Sequence, residues 1–233
     1  MKNVIIVPTY NERENIKVLI PFIFKIVPDV FITVADDNSP DGTGKLVLEM
    51  QKQYPRLSLI ERLKKDGLGK AYINAFSEVL KDENVYSIIM MDADLSHNPR
   101  YLPEMIEKGK RFSVVIGSRY VPSGGTMGWE LWRRLLSLWA NFYCRIITGI
   151  PIKDCTGGFN LINAELLRKI DFSKIGMSGY AFTMGLKYKL YKAGATFYEV
   201  PIIFTNRVGG ESKFCNHILL EGIIAPWKMI IKK

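Results

Sequence analysis

Five short runs rich in Ile and Val alternate with helical patterns over the first 120 residues, and this alternation constrains the chain most. "NVIIVP" (3–8), "VFITVA" (30–35), "LSLIER" (57–62), "YSIIMM" (86–91) and "FSVVIG" (112–117) read as strands. Between them, 12–26, 41–54, 68–81 and 100–109 carry helical periodicity, the first despite Pro21 and the second after an opening turn. Strands separated by helices imply βαβ units, hence an α/β fold with a mainly parallel sheet. Such sheets take ligands beyond the carboxyl ends of their strands. The polar clusters "PTYNERE", "DDNSPDGT", "DADLSH" and "GSRY" all fall there. With 233 residues, 48% of them hydrophobic, the chain has ample core for one large domain or two small ones. Neither G-x-G-x-x-G nor G-x-x-x-x-G-K-[ST] occurs, so dinucleotide and P-loop readings lack support.

The second part of the chain differs in charge and in pattern. Residues 1–128 hold 17 Lys/Arg against 16 Asp/Glu, whereas 129–233 hold 15 against 7 and all four tryptophans. Basic residues with Trp suit an anionic membrane surface, nucleic acid, or simply a solvated face over some core Trp. On a helical wheel of "WELWRRLLSLWANFYCRII" (129–147), Glu130, Arg133, Arg134, Ser137, Asn141 and Arg145 fall in one arc of roughly 120°, and the rest is apolar. That face is too wide for an ordinary surface helix. It fits a helix lying between core and bilayer, or one buried on two sides within the protein. The C-terminal "HILLEGIIAPWKMIIKK" is apolar but interrupted by Glu221, Pro226 and Lys228, and no uncharged run reaches the ~18 residues of a membrane span. The N-terminus reads as lacking a signal peptide, and Cys144, Cys155 and Cys215 read as reduced thiols in a cytosolic setting.

Asp92 and Asp94 carry the sharpest chemical signal. They follow a buried strand, and alternate residues of an extended chain point the same way, so both approach one ion. A hard divalent cation would offset their repulsion and hold a diphosphate. A phosphatase of the haloacid dehalogenase type is the other reading, but that class has its D-x-D after the first strand rather than the fourth. "VADDNSPDGT" (34–43) offers carboxylates to a base or ribose hydroxyls, or a capping turn through Asp41. In "PTYNERE", Tyr10 offers a stacking face and Glu12 an acceptor.

Taken in order, "VIIVPTYNERENI", "DDNSPDGT", "KKDGLGKAY", "MDADLSHNP", "IGSRY", "DCTGGFNLI", "SGYAF" and "FTNRVGGESK" resemble the dolichyl-phosphate mannose synthases. These belong to the inverting glycosyltransferase family 2, with the Rossmann-like GT-A fold. The resemblance runs from residue 3 to about 214. It implies a catalytic domain over 1–214, including the amphipathic helix 129–147, and an amphipathic, interfacial segment over 215–233. It implies transfer of mannose from GDP-mannose to a polyprenyl phosphate, giving a β-linked product, with Mg²⁺ or Mn²⁺. Carried over by motif, Pro8, Tyr10, Glu12, Ala35 and Asp37 hold the guanosine. Asp92, Ala93 and Asp94 meet the diphosphate, ribose and metal, with Ser96 on the metal side where many relatives have Gln. Arg119, Arg207 and Lys213 grip phosphates, and with Asp94 they form the expected catalytic set. The chain departs from the pattern at Gly185, where some relatives have an acid, and at Asn160, where Arg is common. The implied enzyme is cytoplasmic and peripheral, on a membrane surface or a membrane-spanning partner, with no nucleic acid. A UDP-sugar donor on the same scaffold and a catalytically silent membrane-binding module are the alternatives.

Overall fold

The computed structural model describes residues 2–172, 175, 179–205 and 216–231, with backbone alone for Tyr180 and 216–223. The expected alternation is present: β1 (Lys2–Thr9), α1 (Arg13–Ile26), β2 (Phe31–Asp36), α2 (Thr43–Met50), β3 (Leu57–Glu61), α3 (Leu68–Val79), β4 (Val85–Met90), α4 (Leu102–Gly109) and β5 (Val114–Ser118). There follow β6 (Gly125–Met127), α5 (Leu131–Thr148), β7 (Asn160–Asn163), α6 (Ala164–Arg168), α7 (Gly179–Lys192), β8 (Phe197–Pro201), β9 (Ile203–Thr205) and α8 (Asn216–Ile231).

Seven strands form one sheet in the order β3-β2-β1-β4-β7-β5-β8, and β6 pairs with β9 in a small second sheet. Successive side chains of a strand leave opposite faces, and the two cores divide accordingly. Val4, Ile6, Ile88 and Met90 pack with Tyr72 and Phe76 of α3 and with Phe182, Leu186 and Leu190 of α7. Ile5, Val7, Ile89 and Met91 pack with Ile16, Leu19, Ile20 and Ile23 of α1 and with Leu102 and Met105 of α4. Helices thus cover both faces, which parallel strands require.

Strand β7 is the departure from parallel order. It runs antiparallel to both neighbours, with Asn160 opposite Met90 on β4 and Ile116 on β5. "NLIN" has no apolar run long enough to announce a strand. The consequence is positional: an antiparallel strand enters the sheet where parallel strands leave it, so the loop before β7 lies at the carboxyl ends of β4 and β5.

Helix α5 turns its apolar side outward. Its buried residues are Asn141, Cys144 and Thr148, while Leu131, Trp132, Leu135, Leu138, Trp139, Phe142 and Ile146 are exposed. The alternative of a helix buried on two sides within the protein therefore does not hold. Part of the polar arc faces inward instead: the Tyr120 hydroxyl donates to Ser137 Oγ (2.6 Å), and Asn141 Oδ1 accepts from the backbone N–H of Cys155 (2.7 Å) and Thr156 (3.1 Å). Helix α8 runs unbroken through Pro226. It meets α5 where Trp227 Nε1 donates to the Tyr143 hydroxyl (2.8 Å); within α5, Trp139 stacks on Tyr143 (5.0 Å). Between them lies a groove of about 470 Å³ lined by Trp139, Phe142, Ile146, Trp227 and Ile230, among others. No helix among the described residues is long and apolar enough to cross a membrane.

Candidate active site

The turns after β1, β2 and β4 meet at one edge, and each contains a non-glycine residue with left-handed backbone: Asn11 (φ 59°), Asn38 (φ 55°) and Leu95 (φ 63°). Asn tolerates this region through its short polar side chain. Leu does not, and its strain costs on the order of 1–2 kcal/mol. Such strain persists where the surroundings over-determine the turn.

The first two turns are tied through Asp36. Its carboxylate accepts from Thr9 Oγ1 (2.7 Å), Ser39 N (2.8 Å) and Ser39 Oγ (2.6 Å). Ser39 Oγ in turn accepts from Asn11 N (3.0 Å). The N-cap of α2 is Gly42 rather than Asp41; Asp41, one residue earlier, bridges the two turns by accepting from Thr43 N (2.9 Å) and Oγ1 (2.6 Å), and from Arg13 N (3.1 Å) at the start of α1. Partial burial opposes its charge, but these bonds prevail and hold its carboxyl below the usual range. On this frame Ala35 is buried, Tyr10 is exposed, and Lys65 Nζ lies 3.9 Å over one face of the Tyr10 ring. Glu12 accepts from Asn15 Nδ2 (2.6 Å), Asp37 pairs with Arg62, and Pro8 lies opposite Ala35 in the β1–β2 register.

The strained turn at Leu95 folds Ser96 and His97 back onto the two acids. Ser96 is 1% exposed, and both its N–H (3.1 Å) and its hydroxyl (2.6 Å) donate to Asp94 Oδ1. His97, 2% exposed, accepts the Asp92 backbone N–H at Nδ1 (2.9 Å), which places the proton of the neutral ring on Nε2. Nε2 lies 3.8 Å from Asp92 Oδ2. The ring stacks on Phe159 (5.0 Å, 12°) and meets the edge of Phe204 on β9 (5.7 Å). Asp94 is nearly buried, Asp92 is half-buried, and Ala93 between them is buried. No local pattern pairs His97 with another residue; its place three residues past Asp94 is the one signal the sequence offers.

Arg119, expected to grip phosphate, leaves β5 into a buried ion pair with Asp154. Its Nε and backbone N donate to Oδ2 (2.8 and 3.0 Å), and a terminal nitrogen donates to Oδ1 (2.7 Å) and to Thr156 Oγ1 (2.8 Å). Burial raises the Asp154 carboxyl, but Arg119 with Lys187 outweighs it and holds the pKa at about 2. The Arg119 guanidinium also lies 5.5 Å from the Trp129 ring and 5.7 Å from that of Phe204, which touches His97. The pair thus flanks the acids through one shared aromatic. Arg207 and Lys213 lie outside the described residues.

The donor set fits a hard divalent ion. Asp92 and Asp94 supply carboxylate oxygens, and no group of three or more His, Cys, Asp and Glu able to hold a metal occurs among the described residues. Mg²⁺-type ions in phosphate sites are held by one or two carboxylates plus substrate oxygens and water, and Asp92 and Asp94 would supply the carboxylates.

A family model for glycosyl transferase family 2 matches residues 4–171. The chain belongs to that family. Two relatives match nearly the whole of this glycosyltransferase. Polyprenol monophosphomannose synthase from Mycolicibacterium smegmatis is 40% identical over 97% of this chain and 86% of its own. Undecaprenyl-phosphate mannosyltransferase from Micrococcus luteus is 37% identical over 96% and 92%. Among solved structures, glucosyl-3-phosphoglycerate synthase from Mycobacterium tuberculosis, in complex with Mn²⁺ and UDP, superposes with a TM-score of 0.70 at 15% identity, covering 97% of this chain and 78% of that one. The mannosyltransferase PcManGT from Pyrobaculum calidifontis, in complex with GDP-Man and Mn²⁺, superposes at 0.64 with 17% identity, covering 100% and 64%. At those identities the likeness shows the GT-A fold of this glycosyltransferase.

Proposed function

We propose that this glycosyltransferase transfers mannose from GDP-mannose to a polyprenyl phosphate with inversion. The observation that carries this is the Asp92/Asp94 pair at the β4 edge, beside the β1 and β2 turns, in a chain so similar to two polyprenyl-phosphate mannose enzymes. Tyr10 presents its uncovered face to the base, while Glu12 and Asp37 accept from the nucleoside and Pro8 and Ala35 shape its wall. Asp92 and Asp94 hold Mg²⁺ or Mn²⁺ beside Ala93, and Ser96 orients Asp94 through the hydroxyl it donates. When bound, the ion neutralises charge on the departing diphosphate. Arg207 and Lys213 take the acceptor phosphate, and Arg119, held by Asp154, flanks the two acids.

The acceptor needs no general base. A phosphate monoester has a second pKa near about 6 and is largely dianionic at neutral pH. Its oxygen forms a bond to the anomeric carbon as the bond from that carbon to the GDP oxygen breaks, with GDP taking the electron pair. In-line attack turns an α-linked donor into a β-linked product. The outward apolar face of α5, with α8 and the exposed cations Arg134, Arg145 and Lys153, seats the enzyme in the cytoplasmic interface where the acceptor lies.

Calorimetric binding of GDP, UDP and their sugars, with and without Mn²⁺, tests the donor side. GDP and GDP-mannose bind tighter, and Mn²⁺ strengthens them; a preference for UDP overturns the mannose donor, and tight metal-independent GDP binding overturns the role of the two acids. Sedimentation with anionic liposomes at low salt tests the docking. No binding there overturns the interfacial role and points to a protein partner.

A further inference from the structure

Lys187 sits in the middle of α7 at 1% exposure, among residues that build the core. Its ammonium has no carboxylate within ion-pair distance among the described residues. It donates instead to two backbone carbonyls, those of Asp154 and Gly157, at 2.8 Å each. Burying a lysine this way is strongly unfavourable unless its hydrogen bonds offset the cost, and Met or Leu would fill the same space without a buried charge but would leave those carbonyls short of a donor.

Those two carbonyls belong to the turn before β7. The turn's N–H groups are already spoken for: Gly157 N donates to Asp154 Oδ1 (2.8 Å), and Cys155 and Thr156 donate to Asn141. Lys187 secures the acceptor side, sharing the Gly157 carbonyl with Asn160 Nδ2 (3.1 Å). The next two residues press on the acidic turn. A Cβ placed on Gly158 would stand 3.4 Å from His97 Cε1 and 3.8 Å from Asp92 Oδ2, and Phe159 stacks under the His97 ring. His97 in turn holds the Asp92 backbone.

We infer that Lys187 is a positioning residue, which fixes the Asp154–Gly157 turn and thereby holds His97 and Asp92 in place through Gly158 and Phe159. Burial pulls its pKa down to about 8, with Asp154, Cys155 and Glu199 pulling back up and Arg119 pushing further down. The neutral amine still carries two N–H donors, enough for both carbonyls, so the positioning does not depend on charge.

Hydrogen–deuterium exchange on the full chain, without metal or nucleotide, tests the packing chain directly. In Lys187→Met, exchange rises about tenfold over both 152–160 and 91–98, while 2–26 stays at the wild-type rate. Lys187→Arg, which restores donors in a bulkier head, falls between. If 91–98 exchanges as in wild type, or if all segments loosen together, the inference is overturned. A second readout is the gain in GDP affinity that Mn²⁺ confers, expected to shrink about tenfold in Lys187→Met. This readout rests on the metal role proposed for Asp92; a wild type without any Mn²⁺ gain sinks that role, and the exchange data still decide Lys187.

Discussion

The β1–β2–β4 edge and the α5–α8 face use polar and apolar residues in opposite ways. At the edge, polar side chains are buried and spend their hydrogen bonds on one another: Asp36 accepts three, and Asp94 takes both donors of Ser96. On α5 the buried side is polar and the exposed side carries Leu, Trp, Phe and Ile. A preorganised edge suits a small charged ligand, whose binding gains from groups already in place. An exposed apolar patch of this extent is unfavourable in water and gains only when something apolar covers it. The two regions share one element, the loop before β7, which Asn141 holds from the α5 side and which abuts His97 and Asp92 on the other.

If the regions are chemically separate, substitutions divide between them. The largest effect is expected at the edge: Asp92→Asn and Asp94→Asn lower kcat/KM about 1,000-fold, about 4 kcal/mol, with liposome binding unchanged. Steady-state kinetics beside sedimentation reads both, and a shared loss would merge the two regions. Next comes the shared loop. Asp154→Ala removes the carboxylate that accepts three Arg119 hydrogen bonds and balances its buried charge, and urea unfolding is expected to lose about 3–5 kcal/mol. Trp139→Ser with Trp227→Ser weakens liposome binding about tenfold or more, while turnover of a short-chain soluble acceptor stays within about twofold. Smallest is Ser96→Ala, which frees Asp94 Oδ1 from one bond and lowers kcat/KM about fivefold, about 1 kcal/mol. An effect as large as that of Asp94→Asn would make Ser96 a direct ligand.

Stability against pH separates the buried charges in and against the shared loop, Asp154 within it and Lys187 on α7. Asp154 has its folded pKa lowered from 3.8 to about 2, so its contribution is present above pH ~4 and is lost as pH falls towards 2. Lys187 is lowered from 10.5 to about 8, so the unfolded chain binds the extra proton between those values and stability rises with pH from 8 towards 10. Urea midpoints at pH 7 and 9.5 show this rise in wild type and not in Lys187→Met.

Much of the edge was legible in the sequence because its information is local. A strand of Ile and Met followed by Asp-Ala-Asp announces both its burial and its polar end. The turns written with Asn, Asp, Ser and Gly announce theirs. His97 was visible but unpaired on paper, since its bond to the Asp92 N–H exists only because Leu95 takes a left-handed backbone. The α5 wheel correctly showed an arc of polar residues. It did not show that part of that arc points inward, because the groups that satisfy Asn141 and Ser137 come from Cys155, Thr156 and Tyr120.

By itself the sequence determined the α/β alternation, the edge at which the polar clusters gather, and two acids just past the end of the fourth strand, where the chain bends rather than staying extended. These follow from hydrophobic period and from residue order, both readable over a few residues. The tertiary structure decided the rest: the antiparallel β7 that carries the Asp154–Gly158 turn to the acids, the Arg119–Asp154 pair, and the buried Lys187. Each joins segments tens of residues apart. Their energies come from burial and from hydrogen bonds between those segments, which no local pattern records.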